Sequence, residues 1–308
     1  MMRSRLFLRN SAKAALNSLI QSGITFLSGL ILIALPFLSG CSSDTPVSYS
    51  TESLPGALTD IAKKEHNIDI VCNLVGRTLW IYLPIEESIF IESDEPQEYT
   101  RNFELTAVDG KYYDDMFIFN YDIRQIPEKK ESQKTKYNPK AFEIINKVLR
   151  IIPRVFFSLE RSAYEPRFFV IVTTDIKSGI DLIEITYIDD LKKTYFEMIS
   201  WIEYQNRSIQ DIKISPKAVN DTKGSHFYLH DVPFHDFISS QIKQRIQSKF
   251  SGSALEKNAD IDKEILKTIK YVFEIYRFKD FLLLQTNNLI TGEKTSLSRA
   301  AALEGFRE

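Results

Sequence analysis

The chain has 308 residues, of which 44% are hydrophobic and 26% are charged, and its formal net charge is −2. This is the composition of an ordinary globular protein of one or two domains. Residues 1–40 contain four of the 39 basic residues and no acidic residue, so the rest of the chain has 35 basic and 41 acidic side chains, a net charge of −6. A surface with that balance has no field favouring phosphate backbones, which excludes nucleic acid as an expected partner.

The N-terminal segment consists of three parts. Four basic residues lie between positions 3 and 13, an apolar run covers positions 24–38, and the segment ends in Leu38-Ser39-Gly40-Cys41. A basic stretch, an apolar stretch and small residues, in this order, are typical of a secretory signal. The basic end stays in the cytoplasm, because Lys and Arg are costly to translocate. The apolar run enters the bilayer as a helix, which satisfies its own backbone groups.

The sequence Leu38-Ser39-Gly40-Cys41 resembles the lipobox of bacterial lipoproteins, in which Leu, a small residue, Gly or Ala, and Cys follow in this order. The resemblance implies that the Cys41 sulfur receives a diacylglyceryl group and that a signal peptidase cuts between Gly40 and Cys41. It covers the first 41 residues and implies nothing about the fold beyond them. Asp after the cysteine often signals inner-membrane retention in this class. Ser42 stands there instead, which implies the outer membrane, facing the periplasm, in a cell that has one.

Two alternatives remain open for the apolar segment. Leu19–Leu38 has 20 residues, enough to span a hydrocarbon core as an uncleaved anchor. A buried helix is the other alternative, although no polar stripe interrupts the run. A true start at Met2 or further in leaves the argument unchanged.

The chain after the signal divides into a tether and a body. Residues 42–53 are rich in Ser and Thr and cannot bury an apolar face, so they are expected to form a flexible tether with a reach of roughly 20 Å. We therefore expect a signal peptide at 1–40, a tether at 41–53 and a globular domain at 54–308. A division of the domain into 54–122 and 138–308 is left open.

The first part of the body has helix and strand patterns in alternation. Leu54–His66 predicts a helix, and Ile68–Val75 and Thr78–Leu83 predict two strands around a turn at Gly76-Arg77. The acidic stretch 85–99 lacks the spacing of a calcium loop, which favours a solvated loop.

A strand is predicted at Tyr112–Asp122, followed by a charged run without structure at 125–136. Asn138 and Pro139 predict the start of a helix that ends or kinks at Pro153. Arg167–Asp175 and Ile180–Ile188 predict a hairpin turning at Lys177-Ser178-Gly179.

The last third predicts three further helices and some weaker strands. A helix from Asp189 or Asp190 has an apolar stripe at Leu191, Tyr195, Met198 and Ile202. A second follows Pro233, with apolar residues at every fourth position from Phe234, and Asp260 caps a final one. The strand predictions are Asp211–Ile214, Ser225–His230 and Phe281–Thr286, and a polar tail closes the chain. Repeated helix-strand-strand units favour an α+β fold, with helices packed on a mostly antiparallel sheet.

Three of the four histidines lie within ten residues, at His226, His230 and His235. If 226–230 is a strand, His226 and His230 share a face, a spacing compatible with one metal ion, and Asp231 or Asp236 would orient an imidazole. No HExxH or other known metal spacing is present, so a polar face with a helix cap is the competing interpretation.

Other chemistry has weaker signals. The sequence contains no Gly-x-Ser-x-Gly motif and no glycine-rich phosphate loop, so no cofactor is expected. Cys72 falls on the apolar side of its strand, which favours a buried thiol. Five aromatic residues could line a ligand groove, but aromatic residues at strand positions favour a place in the hydrophobic core. They are Trp80, Tyr82, Phe168, Phe169 and Trp201.

Two functional hypotheses follow. The first is a lipid-anchored, non-enzymatic lipoprotein of the cell envelope that binds or assembles envelope proteins beside a membrane. The second is a membrane-tethered, metal-assisted hydrolase that uses His226, His230 and His235.

Overall fold

The structure is a computed structural model that describes residues 48–160, 165–251 and 255–304. Ser48–Glu308 forms one compact unit. The fold is α+β, with 35% helix and 38% strand, as the sequence predicted. The strands of the described residues form two sheets, one of five strands and one of four, and each is mixed. The expectation of one mostly antiparallel sheet was therefore wrong.

The five-stranded sheet contains the strands with the clearest sequence signals. The strands are β1 Val71–Val75, β2 Thr78–Ile85, β5 Phe168–Asp175, β6 Ile180–Tyr187 and β7 Ile209–Ile214. Their order in the sheet is β1-β2-β5-β6-β7, and only the neighbours β2 and β5 run parallel. A long connection that includes a helix separates β2 from β5 in the sequence, which is what a parallel pair requires.

The four-stranded sheet is built on one long hairpin. Strands β3 (Phe90–Tyr113) and β4 (Met116–Tyr137) pair antiparallel with irregular register at three points. Strand β8 (Leu283–Asn288) pairs parallel with β4, and β9 (Lys294–Ser298) is antiparallel to β8. Since β4 and β8 are separated by most of the C-terminal half, their parallel pairing also follows from a long crossover.

Two hydrophobic cores cover the two faces of the five-stranded sheet. One core lies between one face and the helices α1 (Leu54–His66) and α2 (Pro139–Phe156), and its strand residues include Ile81 and Phe169. The other core lies between the opposite face, the helices α5 (Phe234–Ser251) and α6 (Ile261–Tyr276), and the four-stranded sheet; it includes Trp80 and Phe117. All eight residues of β5 are buried, as its continuously apolar sequence predicted. The helices are α1 Leu54–His66, α2 Pro139–Phe156, α3 Ile188–Tyr195, α4 Trp201–Arg207, α5 Phe234–Ser251, α6 Ile261–Tyr276 and α7 Arg299–Glu304.

The predicted helix starts are confirmed by their caps. The Asn138 side chain accepts a hydrogen bond from Lys140 N, and the Asp260 side chain accepts one from Lys263 N. Pro153 lies inside α2, which continues to Phe156. The helix therefore does not end at Pro153, which was one of the two predicted effects of this proline. In α5, Ile238, Ile242 and Ile246 of the predicted stripe are buried and Phe234 is half-buried, because these residues recur with the helical period.

The charged segments around the long hairpin were predicted wrongly. Residues 90–99 and 125–136 were expected to be loops, yet they form paired strands. Both faces of this part are largely exposed, so no apolar alternation indicates the strands. Polar contacts replace it: Glu131 binds Lys129 of its own strand and, across the strands, Tyr99 and Arg101. These three partners lower the pKa of the Glu131 carboxyl to about 2.

Four other expectations were wrong in the C-terminal half. The helix predicted from Asp189 is divided into α3 and α4, and Tyr195, Met198 and Ile202 of its supposed stripe are exposed. Residues 225–230 are not a strand. The polar tail contains β9 and α7. The late strand begins at Leu283 rather than Phe281.

The structure describes only the last part of the predicted tether. Tyr49 N–H donates to Ser158 O at 2.9 Å, and Glu160 N–H donates to Tyr49 O at 3.0 Å, so the chain is held to the body from Tyr49 onward. Gly40, Cys41 and the predicted signal peptide lie outside the described residues. Among the residues described, no helix has both the length and the hydropathy needed to cross a membrane.

Candidate functional site

The segment 221–232 crosses the five-stranded sheet and is fixed to β2 by hydrogen bonds. Trp80 Nε1 donates to His230 O at 2.8 Å, and Thr78 Oγ1 donates to Asp231 Oδ1 at 2.8 Å. Gly224 has φ +72°, and a Cβ there would lie 2.8 Å from the Tyr82 ring. A glycine is therefore required where the segment passes over Tyr82.

His226 is buried between two carboxylates. Its Nδ1 lies 2.6 Å from Asp221 Oδ2, and its Nε2 lies 3.2 Å from Asp181 Oδ2. The histidine side chain is 4% exposed and the Asp181 side chain 1%. Thr174 Oγ1 donates to Asp181 at 2.7 Å, and the Lys223 and Gly224 N–H groups each donate to Asp221 at 2.9 Å. Each ring nitrogen already has a carboxylate partner, so neither is directed at a ligand.

Asp221 has a perturbed pKa. Burial raises its pKa, but hydrogen bonds from the His226 ring and from the Lys223 and His226 N–H groups outweigh burial, so the pKa lies below its ordinary value. Donors that favour the charged carboxylate, arranged in a turn, are typical of a structural hydrogen-bond network.

The structure does not bring the three predicted histidines together. His230 is exposed and its ring lies 5.4 Å from Trp80, whereas the His235 ring stacks on Tyr112 at 4.4 Å. His235 Nε2 also lies 3.6 Å from Asp236. Within residues 48–160, 165–251 and 255–304, no group of three or more His, Cys, Asp or Glu side chains is placed to hold a metal ion.

The other sequence candidates have structural roles. Cys72 was expected to be a buried thiol; it is half-buried and packs against the core, and desolvation raises the pKa of its thiol to about 12. Gly179 has φ +71° and closes the β5–β6 turn, where the buried Asp175 accepts hydrogen bonds from Lys177 N and Ser178 N at 3.0 Å. Of the five aromatic candidates, Trp201 is exposed and the other four are buried; one of the four, Trp80, borders a groove.

A groove of about 880 Å³ lies between β6, β7, the segment 226–232 and α5. Its apolar part includes Trp80, Ile183 and Ile209, all less than a tenth exposed. The α5 side presents four polar residues at helical spacing, which places them on one face. They are Ser240, Lys243, Gln244 and Gln247.

The outer edge of β7 opens into this groove. Ser215 N–H donates to Gly179 O at 2.8 Å, on the side where β6 lies. In an antiparallel strand, the N–H and C=O groups of every second residue point to the same side. Those of Ser215 point towards β6, so the groups of the residues in the other register, Gln210, Ile212 and Ile214, point away from β6. Gln210 agrees with this register, since its N–H donates to Gln244 Oε1 at 2.8 Å.

Side chains of α5 cover only the first half of this edge. Gln244 Nε2 donates to Ser208 O at 2.8 Å while its Oε1 accepts from Gln210 N, so its amide takes the place of a peptide group in a neighbouring strand. On the outer side of Ile212 and Ile214, no hydrogen bond to the main chain is present among the described residues. These two residues are 51% and 79% exposed, so half of the edge is open.

A second cavity, of about 640 Å³, lies on the other face of the same edge. It is bounded by Ile212 and by the base of the long hairpin, including Phe90 and Tyr137. Successive side chains of a strand point to opposite faces, and Asp211 and Lys213 border the first groove while Ile212 borders the second cavity. Gln210 and Ile214 also border the first groove. The open edge therefore has a cavity on each side.

The charges near the edge are of both signs. Lys213 Nζ lies 3.9 Å from Asp211, and Asp181 is occupied by His226. Lys243 forms no ion pair within the described part of the chain and faces the groove. Sequence reasoning missed Gln244, Lys243 and Ile212, and its only signal for the edge was the weak strand prediction at 211–214.

Comparison with known proteins gives no relationship: no protein-family model, no curated protein and no solved structure matches this chain.

Proposed function

We propose that this protein is a lipid-anchored module of the cell envelope that binds an extended peptide segment of another envelope protein. The lipid on Cys41 would hold it to a membrane, and the open edge of β7 would hold the peptide. The observation that carries the binding part is an edge strand with a cavity on each face, in which the outward main-chain groups of Ile212 and Ile214 have no partner among the described residues.

The anchor part of the proposal is supported by the sequence. The basic, apolar and small-residue order of residues 1–40 and the match of Leu38-Ser39-Gly40-Cys41 to the lipobox pattern belong to one export signal. Lipid chains attached to the N-terminal cysteine give stable membrane attachment when more than one is present.

A peptide added to β7 would be recognised by two kinds of contact. The N–H and C=O groups of Ile212 and Ile214 would form main-chain hydrogen bonds with the peptide, and these are independent of its sequence. Its alternate side chains would enter the two cavities, because side chains alternate across a sheet. The apolar residues on each side favour aliphatic or aromatic side chains, and Lys243 favours an acidic residue on the α5 side.

A hydrolase based on the three histidines has less support. A general base or a metal ligand needs a free ring nitrogen, and both nitrogens of His226 contact carboxylates. Metal analysis of the purified protein tests this alternative: a stoichiometric ion that is lost when the three histidines are replaced by Ala would favour the hydrolase.

The anchor is tested by labelling cells that express the full chain with a tagged fatty acid. We expect label on the wild type, and we expect Cys41→Ala to have no label and to accumulate as the precursor. Cys72→Ala is the matched control and should be labelled like the wild type. Equal labelling of the Cys41→Ala variant would contradict the anchor.

The binding site is tested by selecting peptides from a displayed random library on the purified protein, with counter-selection on the Ile212→Pro variant. Proline removes one outward N–H, and it is tolerated at such an edge position because that N–H takes no part in the sheet. We expect extended sequences with alternating apolar residues that bind the wild type alone. Selected peptides that bind both proteins equally would place the site elsewhere.

A further inference from the structure

Five large apolar side chains are exposed within eight residues where α3 ends and α4 begins. Such a cluster is unusual on a soluble surface and marks a contact with another phase or partner. We call it the 195–202 patch. Its members and their exposed fractions are Tyr195 61%, Phe196 64%, Met198 73%, Trp201 52% and Ile202 71%.

Local hydrogen bonds and a helix cap fix the backbone on both sides of the patch. Met198 N–H donates to Lys193 O at 2.8 Å, and Glu197 has φ 56°, so α3 closes in a left-handed turn. The Ser200 side chain then accepts a hydrogen bond from Glu203 N and caps α4. The loop is therefore shaped by its own caps, and the apolar side chains are held outward.

The patch lies where the predicted tether joins the body. The ring of Phe157, the residue after α2, lies 4.2 Å from Tyr195 and 5.7 Å from Phe196. The next residue, Ser158, accepts the hydrogen bond from Tyr49 N. The chain coming from the N-terminus thus meets the body one residue away from an aromatic ring that packs on the patch.

The distance along the chain limits what can lie opposite the patch. Tyr49 is eight positions after Cys41, with seven residues between them. Eight steps along a fully extended chain span at most about 28 Å. A membrane that holds the Cys41 lipid would therefore lie within a few tens of ångströms of the point where Tyr49 joins the body.

We propose that the 195–202 patch is a membrane-contact surface that inserts into the headgroup region of the bilayer carrying the Cys41 lipid. The proposal rests on the lipid anchor proposed above. Trp and Tyr favour this region because each combines an apolar ring with a polar group. Attachment would then have two signals, the lipid and the patch, and would fix which side of the body faces away from the bilayer.

The charges around the patch indicate apolar insertion rather than attraction to anionic lipid. Lys192 lies 3.6 Å from Glu165, and Lys193 lies 3.1 Å from the buried Asp190, so both lysines are paired. Glu197 is exposed within the patch itself. We therefore expect contact with a neutral phosphatidylcholine surface, without a requirement for acidic headgroups.

The two tryptophans make the proposal directly measurable, because Trp80 is 7% exposed and Trp201 belongs to the patch. The lipidated protein is purified from membranes and reconstituted into phosphatidylcholine vesicles with brominated acyl chains, which quench nearby indole fluorescence. We expect quenching and a blue shift in the Trp80→Phe variant, and loss of both in the Trp201→Phe variant. Flotation of the vesicles in a density gradient reports the lipid anchor separately.

A second pair of variants guards against local misfolding. Phe196→Ser with Met198→Ser, in the Trp80→Phe background, should float with the vesicles but lose quenching of Trp201. Tyr228→Trp, in a background without the two native tryptophans, places an indole on the segment that borders the groove and should remain unquenched.

The outcomes separate the two proposals. Protein that floats with the vesicles but has unquenched Trp201 retains its anchor and overturns the membrane contact; self-association through Trp201 would then assign the patch to a second copy of the chain. Protein that does not float overturns the anchor, and the membrane contact with it.

Discussion

Two regions border the same groove and differ in how far their polar groups are satisfied. Around His226, each ring nitrogen and the carboxylates of Asp181 and Asp221 have partners within the protein. Along the outer edge of β7, the main-chain groups of Ile212 and Ile214 have none among the described residues. Buried polar groups that are fully paired stabilise a fold, whereas unpaired main-chain groups at an accessible edge are available to a partner. The contrast supports a structural role for the histidine cluster and is the basis for proposing recognition at the edge.

The largest expected effect comes from breaking the histidine cluster. Asp221→Ala removes the acceptor of three main-chain N–H groups and of the His226 ring. Because a buried partner is left unpaired, we expect the free energy of unfolding in urea to fall by about 3 kcal/mol. Asp236→Ala is the control: it breaks the exposed pair with His235 and should cost no more than about 1 kcal/mol. Equal losses in both variants would mean that the cluster is not structural.

The second effect concerns the open edge. Ile212→Pro removes one outward N–H, so we expect the affinity for a selected peptide to fall about tenfold, the equivalent of about 1.4 kcal/mol. The melting temperature should change little, because that N–H is not bonded to β6. Ile212→Thr keeps the N–H and should retain most of the affinity in the same titration. A loss in the Thr variant as large as in the Pro variant would make the side chain, not the main chain, responsible.

The third effect tests the covered half of the same edge. Gln244→Ala leaves Ser208 O and Gln210 N without their side-chain partner, and we expect a loss of stability of about 1 kcal/mol. The same change lengthens the open edge, so peptide affinity should rise rather than fall. Gln247→Ala, on the same face of α5, is the control and should change neither quantity. Weaker peptide binding by Gln244→Ala would contradict the edge assignment.

The smallest effect is a pH dependence. The pKa of Asp221 in the folded protein lies below its ordinary value of 3.8. The stability that this difference contributes is therefore complete above about pH 4 and is lost as the pH falls through the lower, folded pKa. Asp221→Asn cannot contribute this dependence, so its urea midpoint should fall less than that of the wild type between about pH 5 and about pH 3. Parallel pH profiles for the two proteins would show that Asp221 is not coupled to folding.

The sequence predicted those elements whose signals are local. The cap at Asn138, the apolar period of α5 and the continuous apolar run of β5 each depend on neighbours within a few residues, and each was confirmed. The charged half of β4 was missed, because its strand is stabilised by polar pairs with a distant partner such as Tyr99 with Glu131.

The candidate site could not be predicted from the sequence, because it depends on contacts between segments that are distant in the chain. An open edge is a relation between strands, and nothing in residues 209–214 indicates that β7 lacks a neighbour on one side. The three histidines are close in the sequence, but the turn held by Asp221 and the contact with Tyr112 direct His226 and His235 to different partners. The apolar spacing of Tyr195, Met198 and Ile202 predicted a buried stripe, since a pattern does not distinguish a core face from an exposed one.

The central claim is that the main chain at Ile212 and Ile214 binds a peptide strand, and amide hydrogen exchange measures this directly. In the free protein, we expect both amides to exchange rapidly while the amide of Lys213, directed towards β6, exchanges slowly. Adding a selected peptide should slow Ile212 and Ile214 strongly and leave Lys213 nearly unchanged. Exchange at Ile212 and Ile214 that stays fast in the saturated complex would contradict the account.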